Sequence, residues 1–382
     1  MTASIRTSLS LLVLLLTGFR AAGSAPDSGT SAEISGLLTS IRAEHGVPAL
    51  VAAVGHADGS IQTGAVGVRV LGRPEKVTPD DRFHIGSVTK PMTATVIALL
   101  VDEGKLQWST SIIQALPECG STMRPEYKEV TVADLLAHEG GLPPFDDEKD
   151  LQEVPRSAGS PTAQRLAFSC LALSRPPVVE ARKEFSYSNA GFSVVAAIAE
   201  KVSGISWEEL MRTRVFAPLG LRTAGFGWPA KGGAPQPWGH WRRLWRVVPQ
   251  DPDGKYQLPV FLAPAGDVHM SMPDLARFLA AHLRALHGER ALLKPETVRL
   301  MHTKRIQSGL GWGVQPLAGF DAVSVYQGSA DTFITLVAIV HNGDLVVAVS
   351  ANSATQEADA ATKQALKQLL TRYARKPEGG NR

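Results

Sequence analysis

Two cysteines in 382 residues are too few for a disulfide-built fold, so this chain must rest on an ordinary apolar core. Neither Cys119 nor Cys170 sits beside a histidine at a spacing that would make a thiol nucleophile or a zinc site. In an oxidising compartment the two can pair. Two unpaired buried thiols fit the sequence as well, because a disulfide depends on a Cα separation that spacing alone does not supply. Charge of one sign is missing too. The 39 basic and 36 acidic residues leave a net +3, and no basic block stands out, which argues against a nucleic-acid partner. Long apolar runs are also missing: Leu9 to Leu16 falls well short of the roughly 20 residues that span a bilayer. No segment recurs at a fixed period.

What is present is a globular composition, 44% hydrophobic and 20% charged, with ample material for a large core. Residues 1–25 read as an export signal: Arg6, the short Leu-rich run, then Ala21-Ala22-Gly23-Ser24-Ala25. A secreted or periplasmic protein is expected. The alternative is a membrane tether through an uncleaved N-terminal helix, since Thr17 to Phe19 extend the apolar stretch. No cysteine lies near the cleavage region to carry a lipid. Residues 32–370 read as one domain and 376–382 as a disordered tail.

Helical spacing runs over Ala32–His45, Thr89–Glu103, Val132–Ala137, Ala163–Ala172, Asn189–Val202, Trp207–Phe216, Met272–Leu286, Pro295–Met301 and Gln356–Tyr373. β-prone runs lie at 49–55 and 61–70, joined through Asp58-Gly59. Four more follow at 309–315, 322–326, 332–340 and 345–350, the last two joined by Asn342-Gly343-Asp344. Residues 143–162 read as a loop rich in Pro and acids. This order predicts an α+β fold, an antiparallel sheet flanked by helices that collects strands from both chain ends, with a helical region inserted at about 86–299. Residues 225–268 stand apart, holding Trp228, Trp238, Trp241 and Trp245 with Arg242, Arg243 and Arg246 among them. They read as a stabilised excursion, or alternatively as the lining of an apolar cleft or a contact for an acidic substrate or membrane surface.

Three short motifs carry chemistry. In Ser87-Val88-Thr89-Lys90 the serine and lysine share one helical face, so a neutral lysine can take the hydroxyl proton. The same residues also suit a plain helix start with a solvated lysine. In Tyr187-Ser188-Asn189 the phenol can pass a proton if a nearby cation lowers its pKa, and the amide can hold a carbonyl. Ser188 or Asn189 can equally cap the helix that follows. In Tyr326-Gln327-Gly328-Ser329 the glycine lets a substrate approach a strand edge, and an edge N–H joined with that of Ser87 forms an oxyanion hole. His138-Glu139 lacks the second histidine of a zinc protease helix, and His240, His282 and His287 read as surface residues.

The ordered set of motifs resembles the serine β-lactamase and penicillin-binding-protein superfamily. It is most similar to the class C-like branch with its carboxylesterases and D-amino-acid peptidases. Phe83-His84-Ile85-Gly86, Asp134 to His138, Gly141-Leu142-Pro143, Pro218 to Leu221, Ala263 to Gly266 and Asp274 to Phe278 extend the resemblance over about residues 35–370. It implies an acyl-enzyme hydrolase with Ser87 as nucleophile, Lys90 as base and Tyr187 as proton shuttle. Asn189, Tyr326, Gln327, Gly328 and Ser329 would meet the substrate, Ser329 through an oxyanion N–H. The expected partner is a small or peptide-like acyl compound, with no cofactor and no metal; the oligomeric state stays open. Tyr326 departs from the pattern, which has Lys or His there. Esterase or peptidase-type activity is therefore expected over strong β-lactam hydrolysis, the alternative being a recognition module with little turnover.

Overall fold

A computed structural model describes residues 30–154 and 158–373. The expected leader at 1–25 and tail at 376–382 lie outside the described residues. Helix α1 (Ser31–His45) starts on a reciprocal cap between Thr30 and Glu33 and stops at Gly46, at φ 65°. Strands β1 (Ala49–Gly55) and β2 (Ile61–Gly67) form the first hairpin. Helices α2 (Thr89–Asp102) and α3 (Asn189–Ser203) belong to the inserted region. A small hairpin, β3 (His240–Arg243) and β4 (Arg246–Pro249), precedes α4 (Met272–Leu286). Strands β5 (Gly313–Leu317), β6 (Phe320–Ser329), β7 (Ile334–Val340) and β8 (Leu345–Ala351) lead to α5 (Gln356–Tyr373).

Six strands make one antiparallel sheet in the order β2-β1-β8-β7-β6-β5, so both chain ends contribute to it. Its residues alternate between two cores. Leu50, Ala52 and Val54 of β1 join Ile34, Leu38 and Leu366 under α1 and α5. Ala49, Val51 and Ala53 join Met92, Phe192 and Leu275 on the other face, with the inserted helices. Because both faces are covered, β1, β7 and β8 are buried throughout and read as unbroken apolar runs.

The α+β expectation stands. Three details differ. The loop at 143–162 contains a short helix, Glu148–Gln152. The helix from Trp207 widens into a π-turn at Met211–Phe216. Strand β6 is longer than its apolar run and carries the whole third motif. Cys119 and Cys170 are joined, with Cα atoms 4.9 Å apart and 51 residues of separation. On a loop-entropy account such a closure stabilises by about 4 kcal/mol.

His240 and His282 are not surface residues; both are buried. His282 belongs to a line of side chains whose direction can be counted out. The Thr95 hydroxyl gives its proton to the Pro91 carbonyl, 2.8 Å away, so it accepts from His282 Nε2–H at 3.1 Å. His282 Nδ1 then accepts from His302 Nε2–H at 3.0 Å. His302 Nδ1 accepts from the Ser324 hydroxyl at 2.6 Å, which accepts from His341 Nε2–H at 2.7 Å. Burial lowers all three histidines, His282 to about 3 and His302 well below the usual range. Unfolded histidines gain protons below pH about 6.5 while these stay neutral, so the unfolded state binds more protons and stability falls with acidification. Each imidazole that stays neutral contributes up to about 1.4 kcal/mol per pH unit. Denaturant unfolding at neutral and mildly acidic pH is expected to show this loss, and His282→Gln with His302→Gln should flatten it.

Candidate active site

The chain turns at Phe83–His84 into a tight turn, Gly86–Val88, that runs directly into α2. Pro91 falls in the first turn of α2, where a missing N–H costs nothing. Ser87 is thereby half-buried at a helix N-terminus, while Lys90, three residues on, is 0% exposed. Lys90 Nζ lies 3.0 Å from Ser87 Oγ, 2.8 Å from Asn189 Oδ1 and 2.8 Å from the Ala265 carbonyl oxygen. On the far side of Oγ stands the Tyr187 hydroxyl, at 2.7 Å.

Burial and the count of acceptors together set the chemistry. Asn189 Oδ1 and the Ala265 carbonyl can only accept. A neutral lysine amine has two hydrogens, and those two acceptors take both. Its lone pair is then left facing the Ser87 hydroxyl, which donates to Nζ and accepts from Tyr187. Burial pushes Lys90 well below its usual value, opposed by the carboxylate of Asp146. Burial thus favours the neutral, basic form of the amine. Tyr187 departs from the sequence reading. Burial raises its pKa, against the hydrogen bond to Ser87, so it is a full phenol and no tyrosinate. With Lys90 uncharged, no cation is there to lower it.

The third motif meets this turn along a seam that only glycine allows. A Cβ on Gly328 would lie 2.0 Å from the Ile85 carbonyl oxygen and 2.8 Å from Ser87 N; one on Gly86 would lie 2.6 Å from the Ser329 carbonyl. Strand β5 pairs with β6 only as far as Val325, so Tyr326 to Ser329 have an open edge. Ala330 N–H bonds to the Phe333 carbonyl, and antiparallel alternation then turns the N–H of Ser329 outward, away from β7. The N–H groups of Ser87 and Ser329 flank one seam, as an oxyanion hole requires.

Of the expected substrate contacts, Gln327 is not in the cleft. Side chains alternate along β6, and its amide bonds Asp359 of α5 at 3.0 Å. Ser329 offers the cleft its backbone, since its hydroxyl accepts from Asp331 N. Asn189 is spent on orienting Lys90, with its NH₂ bonded to the Phe145 carbonyl at 3.1 Å. Tyr326 faces the site and has a partner the sequence did not suggest, His138. Ser188 N–H donates to His138 Nδ1 at 3.1 Å, so the neutral ring donates from Nε2 to the Tyr326 oxygen at 3.3 Å. Burial keeps His138 neutral and raises Tyr326. Tyr326 thus presents an uncharged hydroxyl whose proton is free to point into the cleft. Asp146 was missed as well. Among the described residues no group of three or more His, Cys, Asp or Glu could hold a metal ion.

Residues 34–371 match the Beta-lactamase family. The chain belongs to that family. The resemblance read from the motifs covers the same span. Penicillin-binding protein 4 of Amycolatopsis lactamdurans is 29% identical over 258 residues, 64% of this chain. This family member spans only 61% of that protein's length. Among solved structures, the octameric penicillin-binding protein homologue from Pyrococcus abyssi superposes with a TM-score of 0.72 at 23% identity, covering 89% of this chain and 77% of the other. The class C beta-lactamase from Rhodobacter sphaeroides does so with a TM-score of 0.69 at 22% identity, covering 89% and 99%. At these identities the two structures establish the shared fold.

Proposed function

We propose that this protein is an exported serine hydrolase that cleaves ester, amide or lactam bonds through an acyl-enzyme, with ester and peptide-type substrates preferred to β-lactams. The observation that carries this reading is the fully buried Lys90 amine standing 3.0 Å from the Ser87 hydroxyl. Ser87 Oγ attacks the acyl carbonyl as its proton passes to Nζ, and the N–H groups of Ser87 and Ser329 take the developing oxyanion. Tyr187 gives its proton to the leaving alcohol or amine. The ammonium of Lys90, 4.7 Å from the Tyr187 ring, refills the phenol. Water then attacks the Ser87 ester, its proton returns by the same groups, and the acid leaves.

Substrate preference follows from charge. The third motif ordinarily offers a cation to a substrate carboxylate, and here it offers the hydroxyl of Tyr326. Asp146 adds a negative charge near Lys90. Uncharged acyl groups fit such a cleft better than carboxylate-bearing lactams. A panel of nitrophenyl esters, aminoacyl amides and a chromogenic cephalosporin tests this, read together with intact mass to find the acyl adduct. Faster turnover of the cephalosporin than of every ester would overturn the preference. Persistent adduct without product would point to a recognition module instead. Tyr326→Lys is expected to raise cephalosporin kcat/KM relative to ester by roughly 10- to 100-fold, since a charge-assisted hydrogen bond contributes about 1.5–3 kcal/mol.

A further inference from the structure

Hairpin β3–β4 projects a tip that the protein itself does not use. Leu244 and Trp245 form its two-residue turn and are 77% and 75% exposed. Leu244 holds φ at 55°, a conformation that Asn or Gly takes far more readily. Arg243 and Arg246 stand directly opposite each other across the strands, both exposed and without an acidic partner among the described residues. Like charges in that position destabilise a hairpin. An exposed Leu-Trp pair, a strained turn and two facing cations are each unfavourable for the free molecule, and they coincide on four residues.

The base, by contrast, is firmly mounted. His240 Nδ1–H donates to the Asn352 carbonyl at 2.6 Å, and its Nε2 accepts from Leu71 N at 2.9 Å. Its backbone N–H bonds the Thr332 carbonyl at 3.0 Å. Arg242 pairs with Glu357 of α5, and Trp241 packs on Tyr256 at 5.8 Å. The acids that follow are used locally: Asp251 accepts from Asp253 N, and Asp253 accepts from Gly232 N. The other tryptophans of this stretch are structural. Trp228 stacks between Tyr256 and Phe333, and Trp238 lies under Arg73.

We propose that the β3–β4 tip docks on an anionic lipid surface. Leu244 and Trp245 enter the headgroup layer, where amphipathic aromatic rings are favoured. Arg243 and Arg246 take lipid phosphates from either side. Two protruding side chains cover far less than the roughly 800 Å² per partner of a stable protein interface, which disfavours a second copy of the chain as the occupant. Because His240 is bonded to Thr332, three residues beyond Ser329, docking would bring the same end of the sheet as the catalytic seam toward the lipid.

The test is vesicle co-sedimentation of the full chain with phosphatidylcholine alone and with phosphatidylcholine mixed with phosphatidylglycerol. Binding is expected only to the mixed vesicles. Each arginine should contribute about fivefold, so Arg243→Ser with Arg246→Ser is expected to weaken binding by more than about tenfold. Leu244→Ser with Trp245→Ser should weaken it comparably. Residues 1–29 are common to all these proteins, so the differences belong to the hairpin. Bromine-labelled acyl chains should quench the wild type more than Trp245→Leu, and hydrolysis of a soluble ester should be unchanged in every variant. Equal binding by wild type and tip variants, no binding by the wild type, or indifference to phosphatidylglycerol overturns the proposal. So does a self-association that the tip variants abolish, which would assign the tip to a second copy.

Discussion

Ser87→Ala is expected to lower kcat/KM for a nitrophenyl ester by about 10⁵-fold and to abolish any acyl adduct seen by intact mass. The substitution removes one half-buried oxygen and leaves the glycine seam and the start of α2 in place. The thermal midpoint should therefore stay near that of the wild type. Loss of activity without loss of fold assigns the nucleophile; hydrolysis at the wild-type rate would remove Ser87 from the reaction altogether. Tyr187 loses its acceptor in this variant. The remaining chain, Lys90 to Asn189 and Ala265, is untouched and serves as an internal check on folding.

Lys90→Met should cost about 10²- to 10⁴-fold in kcat, the range of a positioned general base, and should at the same time flatten the dependence of stability on pH. Both effects come from the same burial. At neutral pH an unfolded lysine is protonated, with a pKa of about 10.4, while folded Lys90 is held well below its usual value. The unfolded state binds the extra proton, so neutral pH favours unfolding at this position, and stability rises with pH. Methionine fills similar volume and has nothing to protonate, so that rise should be missing from Lys90→Met, whatever the loss of the hydrogen bonds to Asn189 and Ala265 does to the thermal midpoint. The kinetic sign runs the same way. Wild-type acylation should climb with pH through the folded pKa of Lys90, as the ammonium becomes an amine, and then level off. That limb should be missing from the residual activity of Lys90→Met. A variant that keeps the pH-dependent stability and the kinetic limb of the wild type would contradict the neutral-amine reading.

Ser87 with Lys90, the Tyr187 phenol and the glycine motif were legible because each is a local pattern with a chemical reason for its spacing. Their companions were not, because they meet only through the fold. His138 reaches Tyr326 across 188 residues, and the carbonyls of Phe145 and Ala265 have no side-chain signature at all. Gln327 is a different case. Period-two alternation along a strand already sets it on the face opposite Tyr326 and Gly328, and that signal was available. His240 and His282 looked like surface residues by type. Their burial depends on acceptors such as Asn352 and Thr95 from distant elements. In the 225–268 stretch, composition revealed the tryptophans and arginines, but strand pairing decided which of them protrude.

The line from His341 to Thr95 also offers a spectroscopic handle. Each of its ring hydrogens has a single address, because both nitrogens of His282 and His302, and Nε2 of His341, are committed to donating or to accepting. Such hydrogens do not exchange with solvent while both ends stay closed, and the inner end is sealed by the Pro91 carbonyl in the first turn of α2. In a proton NMR spectrum they should persist as sharp downfield ring N–H signals. Their decay in deuterated water would time the opening of the sheet edge beside the helix that begins just after Ser87.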